Sequence, residues 1–207
     1  WRAGQWSLPS ALVHSPEDTS STFNQSLYSS LRALDRGDSE FAMYETTRSR
    51  AELLHKAVNV GAESANVMNM TIMRMRMLDD VSDAARLWRH FSATNATSYE
   101  EAKLSLMNRW NARILENVPF KLVEPSLALQ RVILQMAKLD EYLAYNLTRT
   151  SILARKDGHI TEGVQAIRNM RMIASHSNRS SSLPGLITDK ASPWRVEEAK
   201  LLWAEGK

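Results

Sequence analysis

Ser192-Pro193-Trp194-Arg195-Val196-Glu197-Glu198-Ala199-Lys200-Leu201-Leu202-Trp203-Ala204-Glu205-Gly206 reads as one whole helix with its closing turn. Ser192 can cap the orphan amides, Pro193 suits the first helical position, and Glu197 and Glu198 come early enough for the helix dipole to favour them. Val196, Ala199, Leu202 and Trp203 share one face, which the periodicity predicts to be the buried one. Gly206 supplies the left-handed residue that ends the helix. A helix of this kind needs an antiparallel partner. Trp1-Arg2-Ala3-Gly4-Gln5-Trp6, without an initiator Met, looks like the end of another helix. The expectation is a segment of a longer polypeptide, whose ends expose Trp1, Trp6, Leu202 and Trp203.

Working back from this helix, the same 3.6-residue period recurs and strand alternation does not. Phe23, Leu27, Leu31 and Leu34 form one face, Gly37 makes a turn, and Asp38 can cap a helix bearing Phe41, Tyr44, Ala51, Leu54 and Val58. Val60, Ser64, Val67, Ile72, Met75 and Leu78 continue the pattern. Asp79-Asp80 is expected to break it before a short helix through Leu87-Trp88. A helix from Thr97 or Ser98 should run to about Ile114. Pro125 is expected in the first turn of the next, which carries Leu129, Val132, Ile133, Met136 and Leu139. Another spans roughly Glu141 to Lys156. Asp157-Gly158-His159 then turns the chain, and Thr161 should cap a helix with Val164, Ile167 and Ala174.

Three turns share a pattern in which an apolar helix end runs into glycine: at Gly37, Gly158 and Gly206, with Gly4 a fourth. Gly4 and Gly37 lie 33 residues apart, close to the ~34-residue tetratricopeptide period. The predicted fold is all-α, an α-solenoid of degenerate TPR/HEAT-like helical hairpins. Residues 1–207 read as part of one helical-repeat region. Helical hairpins fill about 1–175, an exposed loop 176–191, and the first helix of a hairpin 192–207.

Composition fits. The 207 residues include 26 Lys+Arg against 23 Asp+Glu, a net charge of +3, too balanced to argue for direct nucleic-acid binding. No cysteine is present, which excludes disulfides and thiolate metal sites. No apolar run is long enough to cross a membrane.

No motif in the sequence assigns a chemical site. Gly158-His159-Ile160-Thr161-Glu162-Gly163 has P-loop glycine spacing, but Val164-Gln165 stand where Lys-Ser/Thr must reach the phosphates. The histidines His14, His55, His90, His159 and His176 include no pair at i,i+3 or i,i+4. Asp79-Asp80, Glu100-Glu101 and Glu197-Glu198 read as caps or dipole partners. Met68, Met70, Met73, Met75 and Met77 read as a core stripe plus outward residues. Arg149, Arg155, Lys156, Arg168 and Arg171 read as a solvated basic face, and Trp194 and Trp203 as locks between hairpins. The sequence therefore assigns no catalytic, cofactor-binding or metal-ligating residue.

The order of four blocks resembles a known family, the FAT region of phosphatidylinositol-3-kinase-related serine/threonine protein kinases of the ataxia-telangiectasia-mutated (ATM) type. Trp1-Arg2-Ala3-Gly4-Gln5-Trp6 is similar to the family's Trp-Arg-x-x-Gln-Trp segment. Gln25-Ser26-Leu27-Tyr28, with Leu31, Leu34 and Phe41, resembles the helix after it. Glu124-Pro125-Ser126-Leu127-Ala128-Leu129-Gln130-Arg131-Val132-Ile133-Leu134 resembles the Glu-Pro-x-x-Ala-Leu helix. Ser151-Ile152-Leu153-Ala154-Arg155, Trp194-Arg195-Val196-Glu197-Glu198-Ala199 and Trp203-Ala204 resemble the late hairpins. Residues from about Met43 to Arg113 match only in helical character.

The resemblance implies a non-catalytic scaffold that positions and regulates a downstream kinase domain absent from this chain, where ATP and Mg would bind. It implies protein partners: the intramolecular kinase domain, neighbouring helical repeats, and a homodimer of the parent. It further implies a nuclear protein of the DNA-damage response and DNA repair. Neither direct nucleic-acid nor membrane contact is expected. The alternative is a free-standing TPR-like adaptor that binds peptides or proteins in its groove.

Overall fold

A computed structural model of the chain describes residues 19–60, 65–91, 96–113, 118–177 and 193–204. The described residues are all-α, as expected. They form α1 (Thr19–Asp35), α2 (Ser39–Val60), α3 (Ala65–Phe91), α4 (Ala96–Arg113), α5 (Phe120–Met136), α6 (Asp140–Lys156), α7 (Ile160–Ser177) and α8 (Pro193–Ala204). The chain divides into two compact units, Trp1–Leu115 with α1 to α4 and Glu116–Lys207 with α5 to α8. Within each unit a helix packs mainly on its neighbours in sequence, the signature of helical-hairpin repeats. The blocks at Gly4 and Gly206, and most of the expected 176–191 loop, lie outside the described residues. α7 itself continues through His176 to Ser177.

Three turns are built alike. At Gly37 (φ 82°) and Gly158 (φ 80°) the left-handed conformation is the one glycine adopts without cost. The amide three residues past each helix end then reaches back into the last turn, Asp38 N–H to Ala33 C=O at 2.8 Å and His159 N–H to Ala154 C=O at 2.8 Å. That is the Schellman closure. The α5–α6 turn repeats it, Leu139 N–H to Leu134 C=O at 3.0 Å, but with Lys138 at φ 54° in the glycine position. A lysine there carries Cβ strain of about 1–2 kcal/mol. Lys138→Gly should raise stability by roughly 0.5 kcal/mol, the strain relief outweighing glycine's extra unfolded-state entropy. An unchanged or lowered urea midpoint would contradict this.

The core of the first unit follows expectation on α1, where Phe23, Leu27, Leu31 and Leu34 are all buried. Asp38 caps α2 by accepting the Phe41 amide hydrogen at 2.9 Å. The expected buried face of α2 is reversed, however. Phe41, Tyr44, Ala51, Leu54 and Val58 face outward, while Ala42, Glu45, Thr46, Ser49 and Leu53 are buried. Thr46 of α2 and Ser82 of α3 meet hydroxyl to hydroxyl at 3.2 Å.

α3 is continuous through Asp79-Asp80, so no helix break occurs there. Leu78 is buried, whereas Val67 and Ile72 are exposed. Of the methionines, Met73 and Met77 enter the core and Met68 and Met70 do not, the division the sequence suggested. The described start of α4, Ala96, is one residue before the expected Thr97.

In the second unit α5 begins at Phe120, placing Pro125 within the helix rather than in its first turn. Asp157, past the end of α6, accepts the Phe120 amide hydrogen at 2.9 Å and ties the two ends of that hairpin together. Gln130 and Asn146 form a buried amide pair at 3.2 Å between α5 and α6. Thr161 lies inside α7, which starts at Ile160, so it is not the cap. Gly163 has a packing role. A Cβ there would stand 3.1 Å from Leu201 Cδ2 and 3.5 Å from the Ser151 carbonyl, so glycine lets α8 and α6 both approach α7.

The face expected to be buried on α8 also points outward. Trp194, Glu197 and Leu201 are buried; Val196, Ala199, Leu202 and Trp203 are exposed. Trp194 locks the helix down, but Trp203 does not. The buried stripe contains a glutamate, which a reading of apolar periodicity passes over.

Candidate functional site

The described residues bring together charge rather than catalytic groups, in two interhelical clusters. One lies in each unit.

In the first unit, Asp80 and Asp83 stand one turn apart on α3 and are almost wholly buried. Arg109 and Arg113 stand one turn apart on α4, and this matched spacing lets the two helices interlock. Arg113 donates to Asp80 Oδ1 at 3.0 Å and lies 2.7 Å from Asp83 Oδ2. Arg109 Nε lies 3.1 Å from Asp83 Oδ1, which also accepts a hydrogen bond from Arg86 at 3.1 Å. Burial alone would lower the Arg113 pKa, but Asp83 and Asp80 outweigh it and raise it above its ordinary value. Asp79 pairs instead with Arg50 of α2. A charged cleft of about 200 Å³ opens here, with Arg50, Asp79, Asp83 and Arg113 among its walls. The Asp79-Asp80 pair is thus a bridge between α2, α3 and α4, not a break.

In the second unit, Arg155 near the end of α6 grips Glu197 of α8, with Nε to Oε1 at 2.5 Å and Nη2 to Oε2 at 3.4 Å. Glu197 is 2% exposed, and Lys200 Nζ approaches its other oxygen at 3.8 Å. Arg171 of α7 pairs with Glu198 at 2.5 Å. Glu197-Glu198 therefore hold α8 onto the α6–α7 hairpin and are not merely dipole partners. Arg155, expected on a solvated face, is instead half-buried in that clamp, whereas Arg171 reaches Glu198 from a side chain that stays exposed, as expected. Sequence reasoning missed both clusters. The recoverable signal was complementary one-turn spacing, Asp80/Asp83 against Arg109/Arg113.

Gly158 and Gly163 form no phosphate cradle, since the first closes a turn and the second lies in α7. His159 packs against Phe120 with ring centroids 5.4 Å apart and the rings tilted by 40°. Among the described residues no cluster of His, Cys, Asp and Glu is placed to hold a metal ion, and no helix is long and apolar enough to cross a membrane.

The FAT domain family matches residues 1–207. The chain belongs to the FAT domain family. The serine/threonine-protein kinase ATM of Arabidopsis thaliana is 24% identical over 231 aligned residues, which cover 100% of this chain and 6% of that protein. The serine-protein kinase ATM of Sus scrofa is 26% identical over 220 residues, covering 99% of this chain and 6% of that protein. The chain thus spans about 6% of the length of these relatives. No solved structure matches it. Two of the blocks that carry the resemblance, one ending at Arg155 and one around Glu197, meet in the α6–α8 clamp of this FAT domain.

Proposed function

We propose that this FAT domain chain is a non-catalytic scaffold segment of an ATM-type serine/threonine protein kinase. It would hold and regulate a kinase domain elsewhere in the same polypeptide and contribute to dimerisation of the parent. On this reading the parent binds ATP and Mg in that kinase domain, acts in the nucleus, and serves the DNA-damage response. The observation that carries the proposal is the match to FAT over the whole chain, together with similarity to two ATM kinases along essentially all of its length. The helical clamps support it physically. Ion pairs buried between hairpins resist sliding, and a stiff helical array can bias a two-state equilibrium in a domain attached to it.

The parent should transfer phosphate from ATP to serine or threonine, and residues 1–207 alone should neither bind nor hydrolyse ATP. Disrupting the α3–α4 cluster by Arg113→Ala in the parent should lower phosphorylation while the kinase domain still binds ATP. ATP turnover by the isolated chain, or full and normally regulated activity in that variant, would overturn the reading.

A further inference from the structure

The outward face of α2 carries a regular stripe that packing within its own unit leaves unused. Phe41, Tyr44, Arg48, Ala51, His55 and Val58 follow one another in steps of 3-4-3-4-3, and all six are exposed. At helical spacing they fall within an arc of roughly 100° and span about 26 Å of helix. Tyr44 is 62% and Val58 79% exposed, and the Phe41 and Tyr44 rings stand 6.4 Å apart. Single apolar residues on a surface need no explanation, but this spacing is that of a seam between two helices lying nearly side by side. Both sequence neighbours, α1 and α3, are packed on α2, so the stripe is not bare for want of either.

Size and charge along the stripe match a reversed copy of itself. Set antiparallel about a two-fold axis midway between Ser49 and Arg50, Phe41 meets Val58 of the second copy, Tyr44 meets His55, and Arg48 meets Ala51. Each layer joins a larger side chain to a smaller one, which lets a seam interlock. Arg48 reaches Glu52 one turn on at 3.1 Å, and both side chains are exposed. Glu45, the other carboxylate near Arg48 at 3.7 Å, is turned into the unit and buried. In the reversed pair each Arg48 also comes beside the second copy's Glu52, so cations and anions alternate about the axis. A parallel copy would set Arg48 against Arg48 and His55 against His55. A partner of one sign gains at Arg48 or Glu52 and loses at the other. Glu40 is drawn to Arg89 of α3 at 3.7 Å, and Lys56 lies off the stripe.

We infer that α2 is a self-association surface, on which two copies of this chain meet by antiparallel contact of their outward stripes. The inference rests on the reading that the segment contributes to dimerisation of its parent, and it assigns that role to named side chains. A two-fold contact requires one patch to be its own complement. The layers from Phe41 to Val58 and the crossed Arg48 and Glu52 pairs meet that requirement.

The test replaces Val58 with the photocrosslinking residue benzoylphenylalanine in the full-length parent, with two isotopically distinct copies mixed so that joined chains can be told apart. Irradiation should link position 58 of one copy to the neighbourhood of Phe41 in the other. Arg48→Glu should cut the yield by about tenfold or more, because it sets like charge against Glu52 of both copies. Adding Glu52→Arg to the same chain restores the alternation and should restore the crosslink. Both side chains are exposed, so these variants should keep their helix content, checked by circular dichroism. Light scattering on the same preparation separates the two readings. If the parent is a dimer, no crosslink, or one to the same polypeptide, to another protein or to another part of the second copy, overturns the α2 inference alone. So does a charge swap that fails to recover the yield. A monomeric parent overturns the dimerisation reading with it.

Discussion

Arg113→Ala should be among the most damaging single substitutions in the first unit, costing about 3–5 kcal/mol. The native side chain satisfies two carboxylates at once, Asp80 at 3.0 Å and Asp83 at 2.7 Å. Both are 1% exposed, so water cannot take over when the guanidinium is removed. Asp83 would retain Arg86 and Arg109, and Arg113 is itself 28% exposed in its side chain, which favours the lower end of that range. Hydrogen exchange should show α3 and α4 losing protection while α5 to α8, in the other compact unit, keep theirs. The triple variant Asp80→Asn, Asp83→Asn, Arg113→Met should recover most of the loss, because the penalty comes from stranded charge rather than from lost attraction. A loss below ~1 kcal/mol in the single variant would show that the cluster behaves like a surface ion pair.

That cluster also marks where reading the sequence ran out. The α1 face, the Gly37 turn and the Asp38 cap were legible because each depends on residues a few positions apart. The Lys138 turn was not. Its backbone closure matches the glycine turns, but a lysine in a left-handed position leaves no compositional trace. On α2 and α8 the apolar stripes were identified correctly and assigned to the wrong side. Periodicity reports that a helix has two unlike faces; the neighbours decide which is covered. Here Ala42, Thr46 and Ser49 are covered on α2 and Phe41 and Tyr44 are not, and on α8 the buried Glu197 has Arg155 opposite it. Pairings across 33 or 42 residues depend on helix register, which one sequence does not specify. Family membership was legible because it rests on the order of blocks, a property that survives even where face assignments fail.

Arg155→Met should release α8 from the second unit. An isolated helix of 12 residues is marginal in water, so α8 depends on what it docks against. Its buried contacts are Trp194 and Leu201 together with Glu197, whose partner is Arg155. Without the guanidinium, Glu197 keeps only the 3.8 Å approach of Lys200 and must either stay buried with poor compensation or turn into water. Turning out would draw Leu201 away from Gly163, where the two elements meet most closely. Breaking such a buried pair costs about 3 kcal/mol, so hydrogen-exchange protection across 193–204 should fall by roughly 100-fold, with α5 and α6 little changed. Adding Glu197→Leu to Arg155→Met removes both charges and should redock the helix. If the single variant keeps its protection, Trp194 and Leu201 hold α8 by themselves. If the double variant fails to recover, the ion pair fixes the angle at which α8 lies and not merely its attachment.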